Sequence, residues 1–158
     1  MAEYLNGAVG RGTVHREDVL LFEGSLEASN ASAAELVELA REIAANPPSG
    51  REPAELRLDP ESLEKHHADR CARAPKGGAP GLAESLIDLA RREEHGSVEL
   101  DKLELVEALA QLIVGELQEA QGDRDRIVAI AERRPIVRFV FDRVIPMLNR
   151  PRPAGLDV

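Results

Sequence analysis

The sequence is poor in residues that several protein classes require. It contains one cysteine, no tryptophan, one tyrosine and three phenylalanines. A single cysteine excludes an intrachain disulfide framework and suits a reducing compartment. With so few aromatic rings, a base-stacking platform for single-stranded nucleic acid is hard to assemble.

Long hydrophobic runs are also missing. The longest uncharged apolar stretch, from Ala108 to Gly115, is far shorter than the roughly 18–20 residues that span a bilayer. No charged-then-apolar leader follows Met1, so we do not expect export. These features predict a cytoplasmic protein without a membrane span.

The composition that remains is typical of a soluble globular protein. The chain has 158 residues, of which 43% are apolar and 31% charged, a length that fits one domain. Helical periodicity predicts a mainly α fold, a single bundle-like domain of five or six helices over residues 31–149. We expect an irregular N-terminal arm over residues 1–30 and a loose tail over residues 150–158. Within the arm, the apolar run from Asp18 to Glu23 fits either a strand or a buried helical turn.

Capping signals predict where the first two helices begin and end. Ser32 and Glu35 have the spacing of a capping box, in which each side chain bonds the other residue's free backbone N–H. Asn46 precedes two prolines, which disfavour helix at the residue before them. Asp59 followed by Pro60 is typical of a second helix start, which we expect to be largely solvated.

Four further helices are predicted in the second half of the chain. A third helix begins at Leu82, and Ser97 is expected to cap a long fourth helix with a regular apolar stripe. Asp123 starts the fifth helix. The segment after Pro135 is predicted to be a sixth helix, kinked at Pro146 because proline lacks a backbone N–H.

Charge is distributed unevenly along the chain. The net charge is −9, yet residues 124–158 carry eight arginines against four acids, which leaves −13 on the first 123 residues. Such asymmetry can dock two copies, or a basic partner on the acidic part. Alternatively, the C-terminal arginines pair with acids of neighbouring helices inside one domain. Arginine outnumbers lysine 17 to 3, which is typical of a GC-rich bacterial coding sequence.

Candidate metal ligands cluster on the second helix. His67 and Cys71 are four residues apart, so both could face one zinc ion, with His66 adjacent and His95 or His15 completing the set. The same Cys–His pair could act as a nucleophile if a third group oriented the imidazole. A solvated helix with incidental histidines is the simpler interpretation, because structural zinc sites normally show two close ligand pairs.

Two segments resemble the small subunit of adenosylcobalamin-dependent diol and glycerol dehydratases. Residues 57–63, Arg-Leu-Asp-Pro-Glu-Ser-Leu, are similar to that family's Arg-Ile-x-Pro-Glu-Thr-Leu segment. Residues 78–86, Gly-Ala-Pro-Gly-Leu-Ala-Glu-Ser-Leu, are similar to its Gly-x-Pro-x-Leu-Ala-x-Asn-Phe segment. Several insertions are needed, and the family's Leu-Arg-Pro motif is missing after Leu109. The resemblance implies a non-catalytic subunit packed against a larger barrel subunit that holds cofactor and substrate.

Three functional hypotheses follow from these patterns. The first is a non-catalytic helical interaction or assembly subunit of a larger bacterial complex, with no cofactor of its own, whose partner is another protein chain or a second copy. The second is a small metal- or thiol-dependent enzyme that uses His66, His67 and Cys71. The third is a regulator that binds nucleic acid through the C-terminal arginines, although an acidic fourth helix would be repelled by phosphate.

Overall fold

The described part of the chain is a six-helix, mainly α structure, as the sequence predicts. The computed structural model describes residues 29–148 except residues 49, 76 and 77, and side chains only as far as residue 146. The helices, in chain order, are α1 (Ala33–Ala45), α2 (Pro60–Arg73), α3 (Leu82–Ala90), α4 (Lys102–Glu119), α5 (Arg124–Arg133) and α6 (residues 135–148). Residues 29 and 30 are also helical. The run from Asp18 to Glu23 and the tail over residues 150–158 lie outside the described residues.

The predicted helix starts at Ser32, Asp59 and Asp123 are confirmed. Ser32 Oγ accepts from the Glu35 backbone N–H at 3.2 Å, and the Glu35 carboxylate accepts from the Ser32 N–H at 2.9 Å. Asp59 and Asp123 each accept a backbone N–H three residues later, at 2.8 and 3.1 Å. Each cap satisfies a donor that has no partner within the helix.

The predicted cap of the fourth helix at Ser97 is wrong. The helix is capped by Asp101, whose Oδ1 accepts from the Leu103 N–H at 2.6 Å. Residues 97–100 form an irregular connection in which Ser97 has a φ of 54°, and the apolar side chains of Val98 and Leu100 are buried in the core. Leu100 therefore belongs to this connection and only mimics the first residue of the α4 stripe.

A tight turn precedes that connection. The chain passes from α3 through the 3₁₀ turn Glu93–His95 to Gly96, which has φ of 104°. A Cβ at Gly96 would lie 2.3 Å from the Glu55 carbonyl oxygen, so both the conformation and the space require glycine.

Helix α6 contains a π-helical turn just before Pro146, the residue at which a kink is predicted. The helix is α-helical over Pro135–Phe139, π-helical over Val140–Val144 and α-helical again over Ile145–Leu148. The Ile145 N–H bonds the Val140 carbonyl, five residues back. Proline cannot donate to the carbonyl four residues before it and crowds that carbonyl, so a widened turn before Pro146 accommodates its ring.

Helix α1 is at the centre of the core. It packs against α2, α3 and α4, while α2 pairs closely with α3. Leu36, Val37 and Ala40 on α1 are fully buried at three- and four-residue spacing. On α2, Leu63 is the only buried residue among those described, which agrees with the prediction of a largely solvated second helix.

Candidate functional site

Of the predicted ligand candidates, His67 and Cys71 come together. They occupy successive turns of the same face of α2, and Cys71 Sγ lies 3.6 Å from His67 Nε2. Cys71 is a free cysteine of intermediate exposure. The four-residue spacing on a helix, visible in the sequence, is sufficient to produce this contact.

Ser85 on α3 completes this arrangement, and sequence reasoning missed it. Its Oγ lies 3.1 Å from His67 Nδ1 and donates to the Gly81 carbonyl at 3.2 Å. Cys71 Sγ is nearly equidistant from the two ring nitrogens of His67, at 3.9 Å from Nδ1 and 3.6 Å from Nε2, so the sulfur lies against the imidazole ring. In the sequence, the feature that could have identified Ser85 is its position as a polar residue on the apolar face of α3.

The other two candidates lie apart from this pair. His66 Nε2 contacts Asp88 Oδ2 at 2.8 Å, and His95 Nδ1 donates to the Arg57 carbonyl at 2.8 Å. Burial opposes ionisation of Asp88, but the hydrogen bond from His66 and nearby arginines lower its pKa. In the described ranges, no three His, Cys, Asp or Glu side chains are placed to share a metal ion. His15 lies outside these ranges.

Most of the described C-terminal arginines pair with acids of the same domain. Arg133 bonds Glu116 on α4 at 2.7 Å, and Arg126 lies 3.8 Å from Glu119. Arg134, between α5 and α6, is completely buried. These contacts agree with the hypothesis that the C-terminal arginines pair with acids of neighbouring helices inside one domain. They also reduce the cationic surface that could bind phosphate.

Arg134 fixes the α5–α6 corner to two other helices. Its Nη2 contacts Glu35 on α1 at 2.5 Å and Glu116 on α4 at 2.7 Å, while Nη1 donates to the Asn30 carbonyl. The burial of Glu35 would raise its pKa, but hydrogen bonds from Arg134 and Ser32 lower it to about 2. Burial likewise opposes the charge on Arg134, yet the two carboxylates raise its pKa. The network thereby sets the position of α6 relative to α4.

An apolar groove lies between α4 and α6. It has a volume of about 290 Å³, and its walls include Val106, Leu109, Ile113, Ile136, Val140 and Phe141. Asn30 is the polar residue among the described lining residues; it is buried, and its Oδ1 already accepts from the Ile136 N–H at 2.9 Å. The groove therefore offers little hydrogen bonding and favours an apolar occupant whose own polar groups are satisfied.

The apolar surface continues beyond the groove. Phe141, which is 41% exposed, also lines a second hollow of about 450 Å³ between α5 and α6, together with Val128 and the charged Arg124, Arg138 and Asp142. Val114 and Leu103 on α4 are 51% and 63% exposed. We call the groove, the second hollow and these side chains the apolar surface. Large contiguous patches of exposed apolar side chains are typical of interaction sites.

Comparisons with known proteins give no family assignment. No family model, no curated protein and no solved structure matches this chain. Within the described residues, no helix is both long and apolar enough to cross a membrane. Any functional assignment therefore has to come from the chemistry of the sites above.

Proposed function

We propose that this protein is a non-catalytic helical interaction subunit that binds a protein through its apolar surface. The observation that carries the proposal is the groove between α4 and α6, with Val114 and Phe141 exposed at its margins. Isolated exposed apolar residues are ordinary, but a groove continuous with further exposed apolar side chains is typical of a binding face.

The shape and chemistry of the groove favour a helix as its occupant. The lining residues of α4 extend from Val106 to Leu117, which corresponds to about 17 Å, or three helical turns. An extended peptide would bring backbone N–H and C=O groups into walls that cannot bond them, whereas a helix satisfies these groups internally. The apolar face of an amphipathic helix fits both requirements.

The role of a dehydratase small subunit is a narrower form of this proposal. It rests on the resemblance of residues 57–63 and 78–86, and it requires a larger catalytic chain as the partner. The first of these segments includes the capped start of α2, and the second includes the first turns of α3. Assembly with such a chain, followed by loss of assembly on mutation of the apolar surface, would support it.

The test compares assemblies formed by matched variants. The tagged full-length chain is isolated from its source cells as wild type, Val114→Glu, Glu64→Arg and the double variant His67→Ala/Cys71→Ala, and each assembly is weighed by native mass spectrometry. Glu64 is exposed on α2 and makes no described ion pair, so it serves as a surface control.

We expect Val114→Glu alone to lose the assembly, and the assembly to re-form from purified components. An assembly that survives Val114→Glu contradicts the proposed function, as does one lost only in the His67→Ala/Cys71→Ala variant. Thermal unfolding by circular dichroism confirms that each variant is folded.

A second candidate function is supported by the Cys71–His67–Ser85 contacts. In this proposal the His67 imidazole takes the thiol proton as Cys71 attacks an electrophile, and the contact with Ser85 holds the ring in place. Alkylation by iodoacetamide, followed across pH, tests it. His67→Gln should slow the reaction about tenfold near neutral pH. Equal rates in wild type and His67→Gln would exclude base assistance.

A further inference from the structure

The apolar surface carries opposite charges on its two sides. Glu107 on α4 is exposed beside the groove, because residues three and seven positions later, Ala110 and Val114, line it. Arg124, at the start of α5, is exposed at the second hollow. Neither side chain forms an ion pair with any residue that the structure describes.

Between these two charges stands a ridge that includes Phe141. This side chain lines both the groove and the second hollow, so a hollow lies on either side of it. The surface thus presents, in order, an acid, a groove, an aromatic ridge, a second hollow and a base. A copy turned by 180° presents the same features in reverse order.

We propose that a second copy of this chain occupies the groove, in a two-fold symmetric dimer. This inference rests on the proposed function and names its partner. The Phe141 ridge of each copy enters the groove of the other, and Glu107 of each copy faces Arg124 of the other. Such an interface is isologous, the commonest kind in homo-oligomers, since one self-complementary patch serves both subunits.

Charge and hydrophobicity both favour this occupant. Phe141 is 41% exposed, so its burial removes about 60–100 Å² from water, which is that fraction of the area of an aromatic side chain, and the dimer does so twice. The flanking charges meet opposite charges only in the antiparallel arrangement, so they select the orientation. The net charge of −9 opposes association in general, but residues 124–158, which supply Phe141 and Arg124, are net positive.

The experiment measures the mass of the purified full-length chain by sedimentation equilibrium over a range of concentrations. We expect a reversible dimer. Phe141→Glu should give a monomer, whereas Glu64→Arg on α2 should leave the dimerisation constant unchanged. A dimer that persists in Phe141→Glu overturns the proposal, since it would use another surface.

Charge reversal provides a sharper test of the orientation. Glu107→Arg and Arg124→Glu should each weaken the dimer about tenfold, because each contact occurs twice in a two-fold interface. The double variant should recover most of the loss, because it restores opposite charges. Additive losses in the double variant overturn the predicted pairing.

Other occupants are separate outcomes of the same test. If the wild type is monomeric at all concentrations, the dimer is excluded, and the reaction of a Val114→Cys/Cys71→Ser variant with a thiol reagent shows what remains. Protection of the introduced thiol in the monomer indicates cover by the chain's own residues, whereas full reactivity indicates an open site. A monomer whose cellular assembly is still lost in Val114→Glu overturns the dimer but leaves the proposed function standing.

Discussion

The two parts of the described chain differ in how completely they bury their apolar side chains. Most of the buried apolar residues lie in residues 29–100, around α1, α2 and α3. Among described residues, the large apolar side chains that remain exposed all lie in residues 101–148: Leu103, Val114, Val128, Val140, Phe141 and Ile145. Both parts contribute side chains to one core, but only the second part also keeps an outer apolar face. We therefore expect stability to depend most on the first part and interaction on the second.

The two parts are joined by a polar network as well as by the α1–α4 packing. Arg134 lies at 0% exposure and links Glu35 of the first part with Glu116 of the second. A buried cation is tolerated only when it is paired and hydrogen-bonded. Substitution of Arg134 is therefore expected to change the stability of the protein more than any other change proposed below.

The largest effect is expected for Arg134→Ala. It removes the buried cation that Glu35, Glu116 and the Asn30 carbonyl share as a donor, which should lower the free energy of unfolding by about 3–5 kcal/mol. Arg133→Ala is the matched control, because Arg133 bonds the same Glu116 but is 56% exposed; it should cost less than about 1 kcal/mol. Urea unfolding followed by circular dichroism measures both. Equal costs would show that the buried link is unimportant.

The next prediction compares a buried side chain of the first part with an exposed side chain of the second. Leu86→Ala removes a fully buried side chain of the first part and should cost about 2–5 kcal/mol. Val114→Ala, in the second part, should change monomer stability by no more than about 0.5 kcal/mol. Urea unfolding at low protein concentration makes the comparison. A large cost at Val114 would mean that this side chain is buried in the isolated chain.

The Glu35–Arg134 ion pair should also make the free energy of unfolding depend on pH. The folded-state pKa of Glu35 is about 2, below its ordinary value of 4.5. Its contribution is therefore fully present above pH 4.5 and lost as the pH falls from about 4.5 to 2. Glu35→Gln should be less stable than wild type at pH 7, and the difference should shrink across this range. A constant difference would contradict the assignment.

The smallest effect concerns the start of α4, where the second part begins. Asp101→Ala should cost about 1 kcal/mol, since Asp101 caps the helix. Ser97→Ala should stay within about 0.5 kcal/mol, since Ser97 lies in the preceding connection. Thermal unfolding of the two variants measures the difference. The reverse order would restore Ser97 as the cap.

Local signals predicted much of the fold, because they act over three or four residues. The caps at Ser32, Asp59 and Asp123 were predicted correctly, and so was the end of α1 before Pro47. The cap at Ser97 was not, since Leu100 continues the apolar spacing of α4 although it belongs to the irregular connection before the helix. The π-helical turn before Pro146 depends on how the helix adapts to the proline ring, and only its approximate place was predictable.

In the candidate site, too, contacts between residues close in sequence were predictable and contacts between distant residues were not. The sequence placed His67 and Cys71 on one helix face, because helix geometry alone brings residues four apart together. Ser85 is 18 positions from His67, and Glu35 is 99 positions from Arg134. No local pattern links such pairs.

The sequence by itself therefore determined the helices, most of their ends and their apolar stripes. Only the tertiary structure decided which part of each stripe is covered. Burial depends on which helices pack together, and no other described helix covers the exposed apolar side chains of α4 and α6.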